Sequence, residues 1–378
     1  MADTRLHRPV EDRFAHELAV LERVGRGSPR PGGWKLTPQH VLLFIIGSQT
    51  PLPAPDPTDR ITITPKFQGP WDIVESAIAT LASDRALLLV GPPGTAKSML
   101  SEWLSAAISG TSRLIVQGSA GLTEDHVRYS WNYALLLKEG PTTTALKPSP
   151  VLQAMQEGKL VRLEEMTRCV PEVQDALISL LSEKELVITE MDNKVVAAQR
   201  GFNLIATANT ADKGVHEMSS ALKRRFNFVN VPPIATVATE VEIVRRRANE
   251  LMIDHGVAAT VPDELVSSLV TLFSDLRGKG TQSGRTPAKR VTTEVSCAQL
   301  ISTVFDSALR AAYFGNKTVT FRDLGSSVAN TFKGDGADLP VLLENLSQMD
   351  AGSGPPTPVR KLVAEIRTLL TDSGREAR

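Results

Sequence analysis

Eight consecutive residues, Gly91, Pro92, Pro93, Gly94, Thr95, Ala96, Lys97 and Ser98, have the make-up of a phosphate cradle. Glycines let the backbone approach an anion closely, and successive N–H groups at a helix start turn their positive ends toward phosphate oxygens. Lys97 supplies a point charge for the β- and γ-phosphates, and the Ser98 hydroxyl a ligand for Mg²⁺. The apolar run 86–90 precedes the loop and a helical pattern over 98–108 follows it, which is the strand–loop–helix context such a motif needs. ATP with Mg²⁺ is the expected ligand. One departure stands out: Ala96 occupies a position that is usually glycine.

A phosphate loop needs an acid at the end of a neighbouring strand. Leu160-Val161-Arg162-Leu163-Glu164-Glu165 provides two. Glu164 is expected to hold the Mg²⁺ shell and Glu165 to activate the attacking water. Glu stands where Asp is usual, and Arg162 interrupts the apolar strand. Asn209 ends a later strand and can orient the water beside Glu165. Arg224 and Arg225 precede a further strand, where a cation could reach a neighbouring subunit's γ-phosphate; Arg225 is the first choice and Arg224 the reserve.

Positioning these groups takes alternating strands and helices. Apolar runs at 86–90, 114–116, 160–163, 203–207 and 226–231 read as buried parallel strands, with a short β-branched segment at 61–64 ahead of them. Such alternation implies a parallel sheet covered on both faces. From residue 236 the strands stop, and helical patterns follow at 236–254, 262–276, 292–314, 321–333 and 358–370. Before the sheet, Thr37 is placed to cap a helix over 38–46 with proline first, and residues 51–59 are a proline-rich connector.

Composition excludes several classes. The 378 residues balance 42 basic against 42 acidic side chains, and 42% are hydrophobic. That balance argues against nucleic acid or an anionic membrane as the main partner. The longest apolar runs are too short to span a bilayer, and the first residues are charged rather than leader-like, so the expected compartment is the cytoplasm. Cys169 and Cys297 are too few for a disulfide framework or thiolate metal cluster.

Taken together, 91–98, 160–168, 206–209 and 221–226 resemble the Walker A, Walker B, sensor 1 and arginine-finger segments of the AAA+ superfamily, and within it the MoxR-like ATPases. The long segment 121–150 is similar to their helix-2 insertion, and residues 186–198 to their hairpin before sensor 1, with Asp192-Asn193 at the turn. Thr167 replaces the family's Asn, whereas Arg168 matches and is implied to act between subunits. Arg290, with Arg285 as the other candidate, is the expected sensor-2 arginine.

The resemblance implies an α/β AAA+ core over 60–235 and an all-α lid over 236–335. An N-terminal helical extension over 1–59 and a C-terminal extension over 336–378 flank them. It implies ATP hydrolysis at subunit interfaces of a ring, a hexamer being the expected size, and chaperone-like remodelling of a protein client, commonly one with a von Willebrand factor A domain. Two other readings stay open: a nucleotide-dependent switch or scaffold with weak hydrolysis, motivated by Arg162 and Glu164, and a nucleic-acid-processing motor, motivated by the basic segment 277–290.

Overall fold

The computed structural model describes residues 8–53, 60–210, 216–277, 296–333, 339–350 and 357–376. The chain divides into two compact units at Pro232 and Pro233.

The first unit is built on five parallel strands: β1 (Ala86–Gly91), β2 (Ile115–Gln117), β3 (Leu160–Glu164), β4 (Asn203–Asn209) and β5 (Phe226–Asn230), in the order β5-β1-β4-β3-β2. These are the expected runs. The segment at 61–64 is not among them: only Arg60–Ile61 is extended, paired antiparallel with Leu52–Pro53. Along the central strands side chains alternate between two apolar layers, as the pleat requires. Ala86, Leu88, Val161, Leu163, Leu204 and Ala206 enter one layer. Leu87, Leu89, Leu160 and Ile205 enter the other, under the helix Lys97–Ser109.

Residues 8–47 have no core of their own. Val10, Leu21, Trp34, Leu36, Val41, Phe44 and Ile45 pack into the same layer as the Lys97–Ser109 helix. The Thr37 side chain caps the helix Pro38–Ile46 by accepting from the His40 amide. Lys66, 7% exposed, locks this segment down. Its ammonium donates to Glu17 Oε2 at 2.6 Å and to the Phe44 and Thr64 carbonyls at 3.0 Å, and it lies over the Phe14 and Phe44 rings.

Two excursions leave the sheet. Within 121–150, Tyr129–Trp131 pairs antiparallel with Leu146–Pro148 around the helix Tyr133–Glu139. The hairpin Glu185–Ile188 with Lys194–Ala197 turns through Asp192 and Asn193, both at positive φ. Glu190 ties the two together, accepting from Tyr129 Oη at 2.7 Å and Trp131 Nε1 at 3.3 Å.

The second unit is helical: Val237–Asp254, Asp263–Leu276, Cys297–Phe314, Phe321–Lys333, Leu339–Asp350 and Pro358–Glu376. The helix Leu339–Asp350 has no counterpart in the sequence reading, yet Leu342 and Leu346, four apart, are buried. Together with Leu362, Val363 and Ile366 they belong to the same core as Val266, Leu269 and Phe273. No helix among the described residues is long and apolar enough to cross a membrane.

Candidate nucleotide site

β1 delivers the phosphate loop and β4 lies beside it, Asn209 standing opposite Gly91 in register. Gly91 must be glycine: a β-carbon there would sit 2.3 Å from the Val231 carbonyl oxygen. Ala96 has φ 63, ψ 24, the left-handed conformation, and N-caps the helix Lys97–Ser109. A residue without a β-carbon adopts that conformation freely, which is why glycine is usual here. Lys97 is 6% exposed and donates to the Gly91 carbonyl at 2.9 Å and the Pro92 carbonyl at 2.6 Å. Burial pulls its ammonium down to about 8, against the upward pull of Glu164 and Glu165.

Glu164 ends β3, 3% exposed, on the face covered by the Lys97–Ser109 helix. Its Oε2 accepts from Ser98 Oγ at 2.6 Å and Thr207 Oγ1 at 2.7 Å. Its Oε1 accepts from Ser101 Oγ at 2.6 Å and Arg162 Nη2 at 2.9 Å. Burial pushes this carboxyl up, but the Ser101 and Ser98 hydroxyls, the Arg162 charge and Thr207 outweigh it, and the net shift is downward. Arg162 therefore does not interrupt the strand. Residues two apart share a face, so Arg162 and Glu164 meet beneath the helix as a buried ion pair.

Glu165 follows at φ 54, left-handed, and its backbone N–H donates to Thr207 Oγ1 at 2.9 Å. That turn aims it away from the line of β3. Its Oε2 pairs with Arg168 Nε at 2.7 Å, so the arginine expected to act between subunits meets an acid of its own chain.

Arg224 and Arg225 lie elsewhere. The Arg225 carbonyl accepts from the Ala86 amide, at the start of β1, whereas the phosphate loop leaves its far end. Six residues of strand separate them, roughly 16–20 Å. Arg225 donates to Ser182 Oγ at 2.7 Å and to the Ala221 carbonyl at 2.6 Å. Arg290 and Arg285 fall outside the described residues.

The structure thus brings together Gly91, Lys97, Ser98, Glu164, Glu165 and Asn209, and leaves Arg224 and Arg225 apart. Ser101 and Thr207 were missed as site residues. A period-two reading puts Thr207 on the face of Asn209, and Ser101 lies three residues past Ser98 on one helix face. Ser98 and Glu164 present the hard oxygen donors that Mg²⁺ takes, so the residues present fit that ion. Among the described residues no cluster of three or more His, Cys, Asp or Glu offers another metal site.

Comparison with known proteins bears on the family of the chain. The AAA domain (dynein-related subfamily) matches residues 86–226 and the YehL-like AAA+ ATPase C-terminal domain matches 238–347. YehL of Escherichia coli (strain K12) is 41% identical over 329 residues, 86% of this chain and 87% of that protein. YojN of Bacillus subtilis (strain 168) is 26% identical over 204 residues, 54% of this chain and 62% of that protein. Among solved structures, NtrX from Brucella abortus is similar at TM-score 0.47 and 14% identity, over 82% of this chain and 69% of that one.

Proposed function

Starting from the fact that the chain belongs to the YehL-like AAA+ ATPases, we propose that it binds and hydrolyses Mg-ATP between subunits of a ring and uses the cycle to remodel a partner protein, as MoxR-like ATPases do. The observation that carries the hydrolytic part is the joining of Ser98, Glu164, Thr207 and Glu165 in one hydrogen-bonded set beside the phosphate loop. Ser98 and Glu164 would hold Mg²⁺, which when bound neutralises charge on the β- and γ-phosphates. Lys97 would move to those phosphates. Glu165 would take a proton from water as the water oxygen attacks the γ-phosphorus, the γ-phosphorus–oxygen bond to the β-phosphate breaking to release ADP and inorganic phosphate, with Asn209 orienting that water. The distance of Arg225 from its own phosphate loop supports a role toward a neighbour's nucleotide, and so supports a ring. A protein client, with a von Willebrand factor A domain as the family's usual case, follows from the MoxR-like resemblance.

The test is Glu165→Gln. Turnover should fall by about 10²–10⁴-fold with ATP still bound; unchanged turnover would show that Glu165 is not the base. The Glu165–Arg168 ion pair favours a second reading, a nucleotide-dependent switch with weak hydrolysis. Tight ATP binding with no turnover in the assembled protein would select it.

A further inference from the structure

Arg162 is buried, charged and has no part in the chemistry above. Its planar guanidinium is held at four points. Nε donates to Ser101 Oγ at 2.9 Å, Nη1 to the Ser112 carbonyl at 3.1 Å, and Nη2 to the Ser98 carbonyl at 3.2 Å and Glu164 Oε1 at 2.9 Å. One group thus touches the backbone of the hydroxyl residue and the side chain of the acid that together would hold Mg²⁺. Glutamate has one more rotatable bond than aspartate, so a carboxylate here needs more fixing, and a rigid fork of donors provides it.

The network continues outward. The Ser112 amide and hydroxyl both donate to Glu11 Oε2, at 3.1 and 2.7 Å, and Thr111 Oγ1 donates to Glu11 Oε1 at 3.3 Å. Glu11 lies in the N-terminal helix Val10–Arg13, a hundred residues away in sequence, and its side chain is 14% exposed. A continuous line of hydrogen bonds therefore joins Glu11, Ser112, Arg162, Glu164 and Ser98.

We propose that Arg162 is a positioning residue that sets the Ser98–Glu164 pair for Mg-nucleotide, and that Glu11 holds Arg162 through Ser112, so that docking of the N-terminal segment tunes the Mg²⁺ requirement of the site. The inference rests on the Mg-ATP reading above. It gives residues 8–47 a part in the reaction without touching nucleotide. Outer-shell partners of metal-site residues typically alter metal affinity or activity when removed.

The full-length chain tests this through binding of a fluorescent ATP analogue titrated with Mg²⁺, alongside kcat, KM and thermal unfolding. Glu11→Ala should raise the Mg²⁺ concentration for half-maximal binding by about three- to tenfold, and Arg162→Lys, which keeps the charge but loses the fork, by about tenfold or more. Metal-free binding of the analogue should stay within about twofold of wild type. Glu11→Gln, which keeps an acceptor oxygen for Ser112, should recover most of the wild-type behaviour. Lowered unfolding temperature with wild-type Mg²⁺ dependence in both Glu11→Ala and Arg162→Lys would make the network merely structural and overturn the inference. Wild-type protein whose analogue binding ignores Mg²⁺ would overturn the Mg-ATP reading itself, and this inference with it.

Discussion

The Thr207 hydroxyl joins the two acids of the site, donating to Glu164 Oε2 at 2.7 Å and accepting from the Glu165 backbone N–H at 2.9 Å. Thr207→Val keeps the shape and removes both bonds. It leaves a buried amide and a carboxylate oxygen each short of a partner, which costs about 1–3 kcal/mol of stability. Single-turnover hydrolysis should slow by about 10–100-fold, with ATP affinity changed much less. Equal loss in binding and turnover would mean that the hydroxyl serves nucleotide retention rather than the acids' alignment.

Lys97 sets a pH dependence. Burial holds its ammonium at about 8, below the 10.5 of a free lysine. Between those values the unfolded chain binds the proton and the native protein does not, so stability without ligand should rise with pH across that window. Phosphate favours the charged form, so ATP affinity should fall as pH climbs through about 8. Denaturant unfolding without ligand checks the first arm and isothermal titration with ATP the second, from neutral to alkaline pH and against Lys97→Arg, whose charge does not titrate. An identical alkaline fall in that variant would assign the effect to another group.

Ala96 carries a local strain. A residue with a β-carbon in the left-handed region costs about 1–2 kcal/mol, and glycine gives back about 0.4–1 kcal/mol through its freer unfolded chain. Ala96→Gly should therefore leave the first unit unchanged or more stable by up to about 1.5 kcal/mol. Calorimetry would register a rise of a few degrees at most, and a marked fall in melting temperature would show that the methyl makes a contact worth more than the strain.

Arg225 should act only toward a neighbouring copy. Arg225→Ala is expected to lower turnover of the assembled protein by about 10³-fold or more with ATP affinity retained. Mixing it with Glu165→Gln subunits should restore part of the activity, because an interface with an intact Glu165 from one and an intact Arg225 from the other re-forms. No restoration in mixed assemblies would remove Arg225 from the site and pass the role to Arg224.

Much of this was legible because it is local. The phosphate loop follows a strand of continuous apolar residues, and the first helices of the second unit carry apolar periodicity from 237 to 276. What escaped depends on segments distant in sequence. Arg162 read as a blemish in a strand because its partners Ser101 and Ser112 come from around another helix. Thr207 is one position in the strand run 203–207, and its role shows only where Glu164 and Glu165 meet it from the neighbouring strand. Residues 8–47 read as an extension because their helices are short, yet Trp34, Leu36 and Phe44 are buried in one cluster with the sheet layer.

The buried Arg162–Glu164 pair also bears on how such a chain can drift. Replacing Arg162 by an apolar residue strands a carboxylate away from water, a loss of about 3–5 kcal/mol for a single substitution. Replacing Glu164 alone strands the guanidinium. Either step is relieved only by a matching change of the other partner, so the two positions form one unit of inheritance. Descendants should exchange them as a set or keep them as a set, and the Glu11 end of the network is where variation can begin at least cost.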